Sequence, residues 1–180
     1  MKLLIASDIH GSAYYCEKLI EAYKREKADK LLLLGDLLYH GPRNDLPKGY
    51  APKEVIKMLN GIKNEILCVK GNCDTEVDQM VLEFPIMAEY SFMYAGERMI
   101  FITHGHKFNE TNIPMLKNGD ILLNGHTHVP KCAKHDEYVY MNPGSVSIPK
   151  ESSAHSYMIL EDLRFTWKDL DGNEYMNITL

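Results

Sequence analysis

Five short clusters of metal-ligand residue types punctuate this chain: Asp8-Ile9-His10, Gly35-Asp36, Gly71-Asn72-Cys73-Asp74, His104-Gly105-His106 and Gly125-His126-Thr127-His128. Each but the first contains a glycine, and Gly11 directly follows the first. Side chains two apart in an extended segment point the same way, so Asp8 and His10 can reach one ion, as can His126 and His128. Asp36 can bridge two ions through its two oxygens, Asn72 offers a neutral carbonyl oxygen, and His104 supplies another imidazole. This set has too many ligands for one ion and needs no thiolate, unlike a closed structural zinc site. Two aspartates against two divalent ions leave about +2 at the centre, a charge suited to a phosphate ester plus hydroxide. Mixed histidine and carboxylate ligands favour Mn, Fe, Zn, Co or Ni over Mg or Ca. An isolated H-x-H or D-x-H is more often ordinary surface or core polarity; it is the five in this order that carry the reading.

Each cluster follows a short apolar run that reads as a buried strand: Lys2–Ala6, Leu31–Leu34, Ile66–Val69, Arg98–Thr103 and Ile121–Asn124. Helices are expected over Ser12–Lys27, with Leu19, Ile20 and Tyr23 on one face, and over Pro52–Lys63, with Pro52 in its first turn. The stretch Gly41–Pro52 between them is rich in proline and glycine and reads as a loop. Strand–helix–strand–helix–strand order implies a parallel sheet with right-handed crossovers. The second half is strand-rich. Ala88–Tyr94 pairs with Arg98–Thr103 around a turn at Ala95-Gly96-Glu97. Lys131–His135 and Tyr138–Asn142 flank a turn at Asp136-Glu137, and Ser156–Glu161 and Arg164–Leu170 are the last strands assigned. The expected fold class is α/β: a single domain over residues 1–180, with two packed sheets and helices outside.

Composition bounds the function classes. A chain of 180 residues can bury roughly 70% of its unfolded surface and needs no disulfide staple. The net charge of −5 argues against salt-driven binding of long nucleic acid, which requires a basic footprint. Cys16, Cys68, Cys73 and Cys132 form no C-x-x-C pair, so reduced thiols in a cytoplasmic protein are expected. The run at Lys2–Ala6 ends at Asp8 and His10, short of the about 7–15 apolar residues of a signal-peptide core. No stretch approaches the roughly 20 apolar residues of a membrane span.

In order, the clusters match D-x-H, G-D, G-N-[HC]-[DE], H-G-H and G-H-[ST]-H. On these motifs the sequence resembles the calcineurin-like metallophosphoesterases. It is most similar to their YfcE-type small bacterial phosphodiesterases through Leu34-Gly35-Asp36, His40-Gly41-Pro42-Arg43-Asn44, Gly71-Asn72-Cys73-Asp74 and Asn142-Pro143-Gly144-Ser145. The resemblance implies a four-layer αββα sandwich with metals at the strand ends. It implies one divalent ion on Asp8, His10, Asp36 and His128 and a second on Asp36, Asn72, His104 and His126. Mn is the leading candidate, and Asp36, Asn72 and His104 would carry the chemistry. A hydroxide between the ions would attack a small phosphoester in line. Cys73, His106 and Arg43 are the candidate substrate contacts. Many members have histidine where Cys73 stands, and there it is thought to help protonate the leaving group, so a bias toward good leaving groups is expected. No membrane or long nucleic-acid partner is implied, and a homo-oligomer is compatible with the family. Rival readings are a phosphomonoesterase or pyrophosphatase on the same site and a non-catalytic scaffold of the retromer type. His135 and His155 are expected to be exposed, Asn142–Ser145 to form a structural turn, and Asp74, Glu76 and Asp78 to form a solvated helix start.

Overall fold

A computed structural model describes residues 1–180. The strand-forming runs are apolar throughout because both faces of each strand are buried. On β1 (Lys2–Ala6), Leu3 and Ile5 face one core while Leu4 and Ala6 face another. On β2 (Lys30–Leu33), Leu31 and Leu33 join the second of these and Leu32 the first. This period-2 split of a continuous apolar run is the signature of a strand sandwiched between layers.

The core on one side of β1 and β2 is lined by α1 (Ala13–Glu26) and α2 (Pro52–Asn60), through Cys16, Leu19, Ile20, Val55 and Leu59. Ser12 caps α1, accepting from the Tyr15 N–H at 3.2 Å. The second helix stops at Asn60 before Gly61, and Lys63–Glu65 is a separate 3-10 turn, so the expected end at Lys63 is too late.

The first sheet has the order β11-β10-β9-β1-β2-β3, with β3 at Ile66–Cys68, β9 at Ser156–Glu161, β10 at Arg164–Asp169 and β11 at Glu174–Thr179. Here β1, β2 and β3 are parallel and the others antiparallel. The second sheet has the order β4-β5-β6-β8-β7, from Tyr90–Ala95, Arg98–Thr103, Asp120–Leu123, Tyr138–Pro143 and Pro130–Lys134 respectively. In it β5, β6 and β8 are parallel. The inner core joins Leu3, Ile5 and Trp167 of the first sheet to Ile102, Leu123 and Met141 of the second. The expected sandwich of two mixed sheets is therefore present. The outer face of the second sheet, bearing Phe101, Leu122, Tyr138 and Tyr140, is covered by Phe108 and Leu116 of the irregular stretch 104–119.

Strand β11, absent from the expected set, follows the turn at Asp171–Asn173 and lays Met176 and Ile178 against the inner core. No helix is long and apolar enough to cross a membrane. Parallel strands in both sheets end at one edge of the sandwich, and the motif residues follow those ends. This is where open α/β sheets place their ligands.

Candidate metal centre

At that edge the backbone leaves the ordinary regions of conformational space. Asp8, His10, Asp36, His126 and His128 have φ of 61°, 49°, 57°, 66° and 63°, all left-handed. For a non-glycine residue this costs on the order of 1 kcal/mol or more and persists only where surrounding bonds enforce it. Those bonds are present. The loops after β1 and β2 stay zipped, with Asp8 N–H donating to the Gly35 carbonyl at 3.1 Å and His10 N–H to that of Asp36 at 2.9 Å. The Ser145 and Ser147 hydroxyls both donate to the Asp8 carbonyl at 3.0 Å. Asn142 donates to the Gly125 carbonyl at 2.7 Å, and Trp167 Nε1 donates to the Asn142 carbonyl at 2.7 Å.

The turned backbones aim the side chains at one another. His10 Nδ1 pairs with the Tyr39 carbonyl at 2.7 Å, His104 Nδ1 with that of Leu34 at 2.7 Å, and His128 Nδ1 with that of Ile148 at 2.6 Å. A carbonyl only accepts, so each Nδ1 carries the proton, and in the neutral ring each Nε2 presents a lone pair. The lone pairs of His10 and His128 face each other at 3.3 Å. Asp8 Oδ1, buried and without a hydrogen bond, lies 3.6 Å from the first and 3.3 Å from the second. On the other side, His104 Nε2 stands 3.4 Å from Asp36 Oδ2, 3.0 Å from Asn72 Oδ1 and 3.2 Å from His126 Nδ1. His10 Nε2 reaches the same Asp36 oxygen at 3.7 Å. These are two groups of acceptors joined by Asp36, and acceptors in mutual contact require a cation or protons between them.

The titration behaviour follows from this crowding. Burial opposes ionisation of Asp8, yet contact with His10 and His128 and the charge of His104 hold its carboxyl well below the usual range. Burial likewise disfavours a charged His104, but Asp36 and Asp8 outweigh it and raise its pKa to about 9. Without a cation, the centre recruits a proton. The residues fit divalent ions: Asp8, His10 and His128 form one compact donor group, and Asp8, Asp36 and His104 another.

Asp74 is not part of a solvated cluster. It is 2% exposed and its carboxylate accepts from the backbone N–H groups of Asp36, Leu37 and Gly71 at 2.8, 2.9 and 2.7 Å. Glu76 and Asp78 do begin a short helix, α3 (Glu76–Gln79), capped by Thr75. His135 is exposed as expected. His155 is half-buried, stacked on Tyr15 at 3.9 Å, because its Nδ1 is held by the Val146 carbonyl.

A cleft of about 470 Å³ opens over the cluster. His10, Asp36, Asn72, His126 and His128 reach it from below, while Arg43 and Cys73 of the expected substrate contacts line its wall. In the cation-free protein, burial, with Asp36 and Asp74 nearby, pushes the Cys73 thiol up to about 12. His106 is set back from this cleft, half-buried with its ring 5.5 Å from that of His104. Burial and the neighbouring imidazoles lower its pKa to about 4. Thr127, the third residue of the Gly125–His128 motif, also lines the cleft, as does Lys150, which no motif singled out. Lys150 lies just after Asn142–Ser145, a nearby signal too indirect to identify it.

A model of the calcineurin-like phosphoesterase superfamily domain matches residues 1–162. The chain belongs to this superfamily. It is 47% identical over 162 residues to the phosphodiesterase YfcE of Escherichia coli K12, covering 90% of this chain and 88% of that one. The solved structure of YfcE, described as a phosphoesterase, superposes with a TM-score of 0.96 at 43% identity, over 99% of each chain. Vacuolar protein sorting 29 from Cryptosporidium parvum shares the fold, with a TM-score of 0.63 at 19% identity over 99% of this chain and 98% of that one.

Proposed function

We propose that this chain is a metal-dependent phosphodiesterase that hydrolyses a small phosphoester. Asp8, His10, Asp36 and His128 would hold one divalent ion, and Asp36, Asn72, His104 and His126 the other. Mn is the leading candidate, with Zn, Fe, Co or Ni as alternatives. When bound, such ions supply Lewis acidity toward the phosphoryl oxygens and a hydroxide nucleophile at neutral pH. The observation that carries the reading is the meeting of imidazole lone pairs and carboxylate oxygens at Asp8 and Asp36. The 47% identity to a phosphodiesterase supports the diester as substrate class.

The protein's own groups set the geometry. The Tyr39, Leu34 and Ile148 carbonyls fix three ring orientations. Cys73 N–H holds Asp36 Oδ1 at 2.7 Å, leaving Oδ2 turned toward both His10 and His104. Arg43 stands at the rim, where a guanidinium can grip phosphate oxygens. The four cysteines are unpaired, in keeping with a cytoplasmic location. The acidic net charge of −5 favours small substrates over long nucleic acid. A complete ligand set disfavours a purely scaffolding role.

The test is hydrolysis of a generic aryl phosphodiester with Mn. Activity should vanish with a chelator and in Asp36→Ala and His104→Ala, each still folded by circular dichroism. Full activity in chelated Asp36→Ala would overturn the reading. Faster cleavage of the matched monoester would favour a phosphomonoesterase instead.

A further inference from the structure

With two divalent ions bound, the cleft would carry more positive charge than a simple diester needs. Two divalent ions against Asp8 and Asp36 leave about +2, which a diester anion and a hydroxide neutralise. Arg43 and Lys150 line the same cleft and add two positive charges, one of them offset by the buried Asp74 carboxylate beside Asp36. They come from different parts of the chain, one from the segment between β2 and α2 and the other from that between β8 and β9. Both side chains are exposed, and neither forms an ion pair.

The backbone beneath each is pinned. Lys150 N–H donates to the carbonyl of His128 at 3.2 Å, and its own carbonyl accepts from Ser153 N–H at 3.0 Å and Ser153 Oγ at 2.6 Å. The next residues, Glu151 and Ser152, are held left-handed at φ 54° and 58°, a conformation that non-glycine residues adopt only where contacts enforce it. The Arg43 turn is closed by Asn44, whose N–H donates to the Gly41 carbonyl at 3.3 Å and whose Nδ2 donates to that of His40 at 2.8 Å. The backbone positions from which both cations project are thus fixed.

The rest of the lining is polar rather than apolar. No Phe, Tyr, Trp, Leu, Ile, Val or Met faces the cleft, so it offers no large apolar slot for an acyl or aryl group, and its only aromatic rings are the imidazoles assigned to the metal centre. Its volume of about 470 Å³ exceeds what one phosphate fills and lies within the range of small-molecule sites.

We infer that the substrate is a phosphodiester bearing a second anionic group, a phosphate monoester on one of its two alcohols, held by Arg43 and Lys150. This rests on the phosphodiesterase reading of the metal centre and narrows it.

A matched pair tests it: thymidine 5′-(p-nitrophenyl phosphate) with either a free 3′-hydroxyl or a 3′-phosphate, assayed with the Mn-loaded protein. The leaving group is the same in both. The 3′-phosphorylated ester should show kcat/KM higher by about tenfold or more, the scale of one charge-assisted phosphate contact. In Arg43→Gln/Lys150→Gln the ratio should fall toward one. Calorimetry with the Mn-loaded protein provides a second readout. Thymidine 3′,5′-bisphosphate should bind about tenfold tighter than the 5′-monophosphate, and the double variant should lose that margin. Equal kcat/KM for the two esters, or a preference that survives in the double variant, overturns the inference and leaves the phosphodiesterase reading intact. Cleavage of neither ester while the generic aryl phosphodiester is still hydrolysed overturns the inference alone; cleavage of none of the three overturns the phosphodiesterase reading with it.

Discussion

Asp74 holds Asp36 in place through the backbone. Its carboxylate accepts the N–H of Asp36 at 2.8 Å and of Leu37 at 2.9 Å, and it ties in Gly71 at 2.7 Å. A buried carboxylate is therefore devoted to shaping the left-handed turn that presents its neighbour to the centre. Asp74→Ala leaves three buried N–H groups without partners, each costing about 1–3 kcal/mol. The variant should lose several kcal/mol of stability in urea unfolding, and its Mn affinity should fall by more than tenfold. A variant with unchanged affinity and midpoint would show that the turn stands without this carboxylate.

Proton release should accompany metal binding. In the folded, cation-free protein the His104 pKa is raised to about 9 from an ordinary 6.5. Its protonated form therefore contributes stability that is fully present below 6.5 and lost as pH rises through about 9. Ligation requires the neutral ring, so Mn binding at pH 7.5 must expel this proton, and affinity should climb as pH rises toward 9. Calorimetry in buffers of different ionisation enthalpy reads the number released. A value of zero at pH 7.5 would mean that His104 is already neutral. By the same linkage, chelation should lower the thermal midpoint at pH 8.5 more than at pH 6.5.

The strands were legible because burial on both faces leaves a continuous apolar run, as at Leu31–Leu33. Residue type and order suggested the ligands, since few other arrangements place Asp8, His10, Asp36, His126 and His128 at strand ends. Their left-handed backbones were not legible. None is glycine, so the usual signal for such a conformation is missing, and the bonds that enforce it come from residues as distant as Ser145 and Ser147. Asp74 misled for a related reason: Glu76 and Asp78 made it look like part of a helix start, whereas its partners lie across the fold at Asp36 and Leu37. Strand β11 escaped because only Met176 and Ile178 of its six residues face the core.

Close backbone approach gives a third expectation. A Cβ on Gly125 would sit 1.9 Å from Ser7 Oγ and 2.7 Å from Ser7 Cβ. Gly125→Ala must therefore push apart the strand ends carrying Asp8 and His126, and Mn affinity and activity should fall by about two orders of magnitude or more. Ser7→Gly removes both clashing atoms. The Ser7→Gly/Gly125→Ala double variant should recover part of the loss, as a double-mutant cycle measures. Additive losses would mean that the obstruction lies elsewhere.

The neutral thiol of Cys73 bears on the choice of ester. It lines the cleft beside His10 and Asp36, accepts from Asn72 Nδ2 at 3.2 Å, and in the cation-free protein its pKa is pushed up to about 12, above the ordinary thiol range of about 8.5 that is itself high for a general acid. An acid that weak transfers its proton poorly near neutral pH, where general acids work best with pKa values near the working pH. The departing alcohol must then carry much of the developing charge itself. Across aryl diesters whose phenols span several pKa units, log kcat should fall steeply as the phenol becomes more basic. Cys73→Ser keeps a small polar group without restoring an effective acid, so it should preserve that slope. A flat dependence in the native protein would mean that another group delivers the proton.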